Sequence, residues 1–528
     1  MKKYIKPLIS LLLAAVFAFM PAMEASARKV PYRGYSYDNM RFVNAVPARL
    51  SYIPATVIDG VDLGVGSWSS PQDVQVYEEW IYVSDTGNNR IVVFNRYGEL
   101  KEDVGDNGVV TTFINNGEID TFNAQDGLCI PRGMNRIYVC DTENRRILVF
   151  DMEFNLLGIV DEPDSDMLMD YNIFRPVKIT VDNGGRMYVR VRNMFQGLLC
   201  FNDDLTFNGY FGQLPVRVSA WDLLWRRIYT REQIEKNRSF IPTEFTNVDI
   251  DEHGFIYCTN IDVYDGDRVK ILNPFGTNIL KNYNENRNIV GDLLLDAIAQ
   301  NFMSDMGANT RSRLEDIKAR PAGMYTVVDS RKGRLFTYDG EGNLLYIFGG
   351  NGSQFGMFRK ATALDILKEN FDEIVYNIDG LDIYRGDDVI VLDELRANVT
   401  IFEPTLYGAM INTAISLRYD GDEGHAVEIW REILRLDNNF MMAYVGIGKS
   451  LLAEGENRDA MLYLRAGNDI KYYSVAYRRY RTEVMNNSMP VVMTGLFIVI
   501  GLYYGTKLTL WILRKQRERR VEHEHGGV

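Results

Sequence analysis

Histidine and cysteine are scarce in this sequence, four of each among 528 residues. Zinc centres and most acid–base sites draw on those two types, so their scarcity narrows the chemistry available. His253 is the one histidine between residues 28 and 403, and it stands in a turn-forming Asp-Glu-His-Gly run, which argues against a histidine-based zinc site. No Ser-His-Asp spacing, glycine-rich phosphate loop or paired-cysteine motif stands out. A surplus of positive charge is missing as well. The net charge is −13, and both chain ends are basic, so the body between them is the acidic part and repels nucleic acid. Cys129, Cys140, Cys200 and Cys258 each lie in a strand-like run such as Tyr138-Val139-Cys140, the setting of a small buried hydrophobe.

What is present begins at the ends. Lys2, Lys3 and Lys6 precede an apolar run from Leu8 to Met20 and then Ala25-Ser26-Ala27. This is the pattern of a signal peptide over 1–27, cleaved after Ala27; an uncleaved anchor is the other reading. Near the other end, Pro490 introduces an apolar segment from Val491 to Leu513, long enough to cross a bilayer as a transmembrane helix over 490–513. Lys507 sits toward its end, where a long side chain snorkels. Arg514, Lys515, Arg517, Arg519 and Arg520 follow, so 514–528 is expected as a basic cytoplasmic tail. Cleavage plus this span places 28–489 outside the cytoplasm.

Between the ends the chain repeats. Ile81-Tyr82-Val83-Ser84-Asp85 runs through a polar turn into Arg90-Ile91-Val92-Val93-Phe94, and the pattern returns from Ile137 to Phe150. Aligned on the residue after the second strand, the units fall at Asp85, Asp141, Val191, Asn260, Asp329 and Asp393. Four short strands per unit in tandem predict an all-β propeller with six visible blades over 28–403. A strand at Val57-Ile58-Asp59-Gly60 precedes the first full unit, as expected if it completes the last blade. A degenerate seventh blade in 212–245 or 284–321 stays open, as does an unrelated β-sandwich. Insertions predict helices over Trp221–Arg238, Val290–Leu314 and Leu364–Phe371.

The turn residues resemble the NHL-repeat family, whose signature is Asp, a small residue, Asn, Arg and an aliphatic residue. Asp85, Asn88, Arg90 and Asp141, Asn144, Arg146 match in full. The unit at Asp329 keeps Arg334 but has Lys332 for Asn; the unit at Asp393 has Asn398 where Arg is expected. The resemblance implies the propeller fold and structural turns at these positions, not an activity.

From Leu406 the period changes to helical. Ala414, Leu417, Gly421, Ala426 and Trp430 recur 34 residues later as Gly448, Leu451, Gly455, Ala460 and Leu464. This resembles two tetratricopeptide repeats, giving a small all-α domain over 404–487 with a third helix at Lys471–Asn486 leading to the span. The family binds peptides or partner proteins; a plain stalk is the other reading.

Related propellers include metal-dependent lactone hydrolases and lyases. The gluconolactonase-like ones hold calcium with carboxylate and Asn ligands around the central channel, and Asp126, Asp249 and Asp365 are the candidates here. No catalytic, cofactor-binding or metal-ligating residue is assigned, and no cofactor is expected; calcium enters only with the hydrolase alternative. The arrangement looks like Gram-positive propeller proteins found alongside membrane transport systems. The expected function is therefore non-catalytic: a membrane-anchored extracytoplasmic binding or scaffold protein, engaging protein partners, transport components among them, or carbohydrate. Converging carboxylates at a channel mouth would favour the enzyme; an apolar or tyrosine-lined mouth would favour binding.

Overall fold

The computed structural model describes residues 30–37, 45–163, 174–194, 197–212, 244–260, 268–280, 291–292, 312–368, 371–378 and 380–525. Six antiparallel sheets stand around one axis. From the axis outwards, blade 1 is Asp73–Tyr77, Trp80–Asp85, Arg90–Asn95 and Val109–Val110. Blade 2 is Leu128–Cys129, Ile137–Asp141, Arg146–Phe150 and Leu156–Val160. Blade 3 is Pro176–Val181, Met187–Val191, Leu198–Phe201 and Phe207–Phe211. Blade 4 has three strands, Phe245–Ile250, Ile256–Asn260 and Val269–Leu272. Blade 5 is Leu314–Ala319, Tyr325–Asp329, Arg334–Tyr338 and Leu344–Gly349. Blade 6 joins Ala361–Leu367, Asp388–Asp393 and Asn398–Pro404 to Tyr52–Asp59 from the start of the chain. The early strand thus closes the ring, pairing Asn398 with Asp59 and Pro404 with Tyr52.

Each inner strand packs on the next, blade 3 directly on blade 4 and blade 4 directly on blade 5, so a seventh blade has no place in the ring. Six apolar cores lie between successive blades. One unites Ile81, Val83 and Val92 of blade 1 with Ala363, Ile390 and Leu392 of blade 6. Another joins Tyr82 and Val93, from the other face of blade 1, to Leu128 and Val139 of blade 2. Because both faces of a blade are covered, the second and third strands read as unbroken apolar runs instead of alternating ones.

Five helices follow: α1 Leu406–Tyr419, α2 Glu423–Leu436, α3 Met441–Glu454, α4 Asn457–Ala466 and α5 Ile470–His525. Thr405 caps α1, its hydroxyl accepting from Gly408 N. Gly421 and Gly455 end α1 and α3 at φ +85° and +90°, the left-handed geometry that favours glycine. The 34-residue spacing is a packing period: Ala414, Ala426, Trp430, Ala460 and Leu464 are all buried, and a Cβ on Gly448 would meet the Leu464 side chain at 2.6 Å.

The helices do not hang from the propeller as a separate stalk. Tyr407, Met410 and Trp430 share one core with Phe348, Phe358 and Phe402 of blades 5 and 6. The expected third helix and the span are one element. Ala476 of α5 packs on Leu452, Ala460 and Leu464, and the same helix carries the one segment among the described residues long and apolar enough to cross a membrane.

Two expectations from the sequence need correction. Leu364–Phe371 was read as helical, but Ala361–Leu367 is the inner strand of blade 6, and every residue of it is buried. An inner strand flanked by two blades and the axis buries a mixed apolar and polar run that also fits a helical period. Leu314, read as the end of a helix, opens the inner strand of blade 5. The expected helix over Trp221–Arg238, most of the one over Val290–Leu314, and the 1–27 leader lie outside the described residues.

Candidate functional site

Strand geometry sends every second residue of an inner strand towards the axis. In blades 1, 3, 4 and 5 those positions are Asp73 and Gln75, Lys178 and Thr180, Asn247 and Asp249, and Asp316 and Lys318, all of which line the central cavity. Two tiers result. In one, Lys178 Nζ lies 2.5 Å from Asp73 Oδ1, and Asn247 donates its amide to Asp316. In the other, Lys318 Nζ bridges Asp249 Oδ1 at 3.3 Å and Asp365 Oδ1 at 3.1 Å.

The same carboxylates tie blade to blade. Asp73 accepts from Leu128 N at 2.7 Å, Asp249 from Ala319 N at 2.8 Å, Asp316 from Leu364 N at 2.7 Å and Asp365 from Val76 N at 2.7 Å. Burial pushes the Asp316 carboxyl up to about 7, against the pull of the Lys178 ammonium. Burial also raises Asp365, opposed by Lys318. It works against the charge of Lys318, but Asp249 and Asp365 hold that ammonium above its ordinary value.

Of the three calcium candidates, two meet and one does not. Asp249 and Asp365 share the Lys318 ammonium, which fills the position a divalent ion would take. Asp126 lies apart, 2.8 Å from Arg192 Nη2. This donor set does not fit calcium, and no group of three or more acidic, cysteine or histidine side chains among the described residues is placed to hold a metal.

The two mouths differ. Alternate strand directions put the inner-to-second and third-to-outer turns on one face, and the helices dock there. Arg320, just beyond the inner strand of blade 5, forks onto Asp387 at 2.6 and 2.8 Å and donates to Tyr52 Oη at 2.6 Å and Tyr346 Oη at 2.8 Å. Asn412 of α1 completes the cluster, donating to Tyr52 Oη and accepting from Tyr346 Oη. Glu341, in the third-to-outer turn of blade 5, is gripped by three helices. Lys449 of α3 lies at 2.5 Å, Tyr472 of α5 at 3.3 Å and Arg418 of α1 at 4.0 Å. Burial alone would raise the Glu341 carboxyl; Lys449 and Arg418 hold it below its ordinary value.

The opposite mouth carries ion pairs, several of which run from one blade to the next. Arg192 of blade 3 bridges Asp126 and Glu143 of blade 2, and Arg175 meets Glu143 from the other side at 3.1 Å. Arg190 of blade 3 pairs with Glu244 at the entry to blade 4 at 2.9 Å, and Arg313 pairs with Glu315 within blade 5 at 2.8 Å. Among the described residues this mouth is neither apolar nor tyrosine-lined. Segments 164–173 and 213–243 connect an outer strand to the next inner strand, so their flanking residues lie on this face.

The motif residues occupy the second-to-third turns of the same face. Asp85 Oδ2 accepts from Asn88 Nδ2 at 2.8 Å and Arg90 Nε at 2.7 Å, while Oδ1 accepts from Ser69 N at 2.7 Å. Asp141 repeats the set with Asn144, Arg146 and Asn123 N. Where the motif decays, backbone amides take over. Asp329 Oδ1 accepts from Arg313, Arg331 and Lys332 N, and Arg334 turns away to Asp292 and Tyr35. Asp393 accepts from Arg359, Lys360, Leu395 and Arg396 N. All nine positions knit a turn to the loop entering the same blade or an adjoining segment.

Sequence reasoning missed Lys178, Lys318, Asp73, Asn247 and Asp316. Their signal was a polar residue at positions i and i+2 of the first strand in four units. The four cysteines are buried and unpaired.

No family model matches the chain, and no curated protein matches it. Among solved structures it is similar to virginiamycin B lyase from Staphylococcus aureus, at 10% identity and a TM-score of 0.36 over 63% of this chain and 94% of that one. It is similar to the Cps50 (Swd1) β-propeller domain of Myceliophteria thermophila, at 8% identity and 0.36 over 67% and 100%. The Malassezia sympodialis allergen Mala s 1 stands at 10% identity and 0.35 over 64% and 93%. At these values none of the three bears on activity; the propeller is established by the closed ring of six sheets itself.

Proposed function

We propose that this protein is a membrane-anchored binding or scaffold protein whose propeller works outside the cytoplasm. One observation carries the reading: the two faces of the propeller have separate duties. The face over blades 4 to 6 is occupied by the helices, which lead through the unbroken α5 to the membrane. The other mouth keeps half-exposed charged side chains around the axis and is the binding face. The leader over 1–27 delivers the body across the membrane, and the basic tail stays in the cytoplasm. The NHL-like turns build the blades, and the tetratricopeptide-like helices spend their facing side chains on Glu341 and blade 5, acting as the mount. The partner is a protein of the same membrane, a transport component being the class sought, or a carbohydrate presented there.

Purification from mild detergent tests this. The wild-type chain is expected to bring down a defined membrane partner that a Glu143→Lys, Arg192→Glu variant loses while keeping its melting temperature. Recovery of the protein alone, with metal-dependent lactone hydrolysis, would overturn the reading in favour of the hydrolase.

A further inference from the structure

Helix α5 carries a pattern that no contact among the described residues accounts for. Ahead of the span, Ile470, Tyr473, Tyr477, Tyr480, Val484 and Asn487 recur at alternating steps of three and four, the a and d positions of a heptad repeat. The helix docks on its neighbours by a different side. Tyr472, Val475 and Ala476 pack on Leu452, Ala460 and Leu464, and Arg479 donates to Leu452 O. At 3.6 residues per turn the heptad seam lies about a third of a turn from that side. It is left largely open: Ile470, Tyr477 and Val484 are 63%, 49% and 42% exposed, while Tyr473 leans on the helical core and stacks on Tyr477. Arg478 and Thr482 point away from the seam.

We propose that two copies of this chain associate in parallel through α5, as a left-handed two-stranded coiled coil that runs on into the membrane. The length of the seam favours a second copy. The spacing keeps its phase through the span to Ile512, about six heptads and 60 Å of helix, where about 3–4 heptads already mark a coiled coil. Pro490 and Lys507 both fall outside the seam. Gly501 and Gly505 fall on it, and a Cβ at either would meet nothing within the chain; small residues there let two helix backbones approach where lipid supplies no hydrophobic drive. Asn487 is the polar member of the seam just ahead of the span. Opposite an apolar side chain it is left unpaired, whereas opposite its own copy it is satisfied and fixes the register. The inference rests on the membrane-anchored reading in one respect: a shared membrane sets both copies parallel and at one height, so each seam residue meets its own counterpart. The pair brings two binding mouths to one partner assembly, and weak contacts at each then act together.

The test is disulfide cross-linking in membranes that hold the full chain. The four native cysteines are buried, so the parent should give no cross-link. Tyr480→Cys and Val484→Cys, on the seam, are expected to form a covalent dimer of the chain about tenfold more than Arg478→Cys and Thr482→Cys, which lie off it on the same turns. Val484→Glu should convert the detergent-solubilised dimer to a monomer with its melting temperature unchanged, since that side chain touches nothing in the folded body. Cross-linking no greater on the seam than off it, or a seam cross-link to a different protein, would overturn the proposal and leave the anchored reading in place. Release of the chain from the same membranes by alkaline carbonate would overturn the anchor, and the parallel pairing with it.

Discussion

The two faces of the propeller carry the same kind of chemistry and put it to opposite uses. On the helix-bearing face, Arg320 and Asp387 are 0% and 2% exposed and every donor of the cluster points at a named acceptor. On the other face, Arg192 and Asp126 are 41% and 13% exposed. A fully buried pair cannot exchange its partner without leaving a bare charge, so it fixes geometry. A half-exposed pair trades water or a ligand for its partner at little cost. Burial, more than residue type, separates the mount from the binding face.

The comparison breaks first at Arg320. Arg320→Ala removes both hydrogen bonds to Asp387 and leaves that carboxylate buried beneath α1, so a loss of about 3–5 kcal/mol is expected. Urea unfolding of the solubilised chain measures it. A loss below about 1 kcal/mol would show that the two faces do not differ in this respect. Next in size is Arg146→Ala in the blade 2 turn. It strips one charged donor from Asp141, which is fully buried but retains Asn144 and Asn123 N, and should cost about 2 kcal/mol. Arg334→Ala should leave Asp329 untouched, because that carboxylate already relies on backbone amides; a shift in the blade 5 turn on this substitution would contradict the substitution of amides for the motif.

The channel lies between the faces, and its response is to pH. A carboxyl held near 7 in the folded state and near 3.9 in the unfolded chain binds its proton more tightly when folded. Asp316 therefore makes the protein more stable as pH falls through 7 toward 4, and less stable as pH rises. Between pH 6 and pH 8 this is worth about 1.4 kcal/mol. Asp388, which burial also pushes up to about 7, acts in the same direction. Asp316→Asn isolates the first from the second: it should halve the slope, at a cost in stability at every pH because its amide NH2 meets donors that the carboxylate accepts. An unchanged slope would assign the effect elsewhere.

Much of this was legible from the chain. The blades were, because strands covered on both faces become unbroken apolar runs punctuated by Asp, Asn and Gly turns. Ring closure was foreshadowed by a lone strand at Val57–Asp59. Leu364-Asp365-Ile366-Leu367 was misread because a strand with one polar residue turned to the axis has no clean period of two. The channel was illegible for a different reason. Lys318 and Asp249 are neighbours only because two blades meet, and nothing local to either residue announces the other. The same holds for Glu341, whose three helical partners lie far along the chain and meet it only once the helices have docked.

The smallest expected effect on stability is the one that matters most for function. Arg192→Ala breaks two pairs on the mouth opposite the helices; half-exposed pairs contribute only about 0–1 kcal/mol, and Glu143 is left near water, while Asp126, mostly buried, loses its charged partner. Unfolding should therefore change by about 1 kcal/mol, less than at Arg320 or Arg146. If this mouth is the binding face, recovery of the partner from solubilised membrane should fall far more than stability does, and it should weaken with added salt because the pairs are screened. The matching substitution on the other face, Lys449→Ala, should do the reverse, costing stability at the Glu341 grip without weakening partner recovery beyond the loss of folded protein. A mouth variant that lost stability and partner in equal measure would mean that these ion pairs are a staple between blades, and the binding face would have to be sought among the helices.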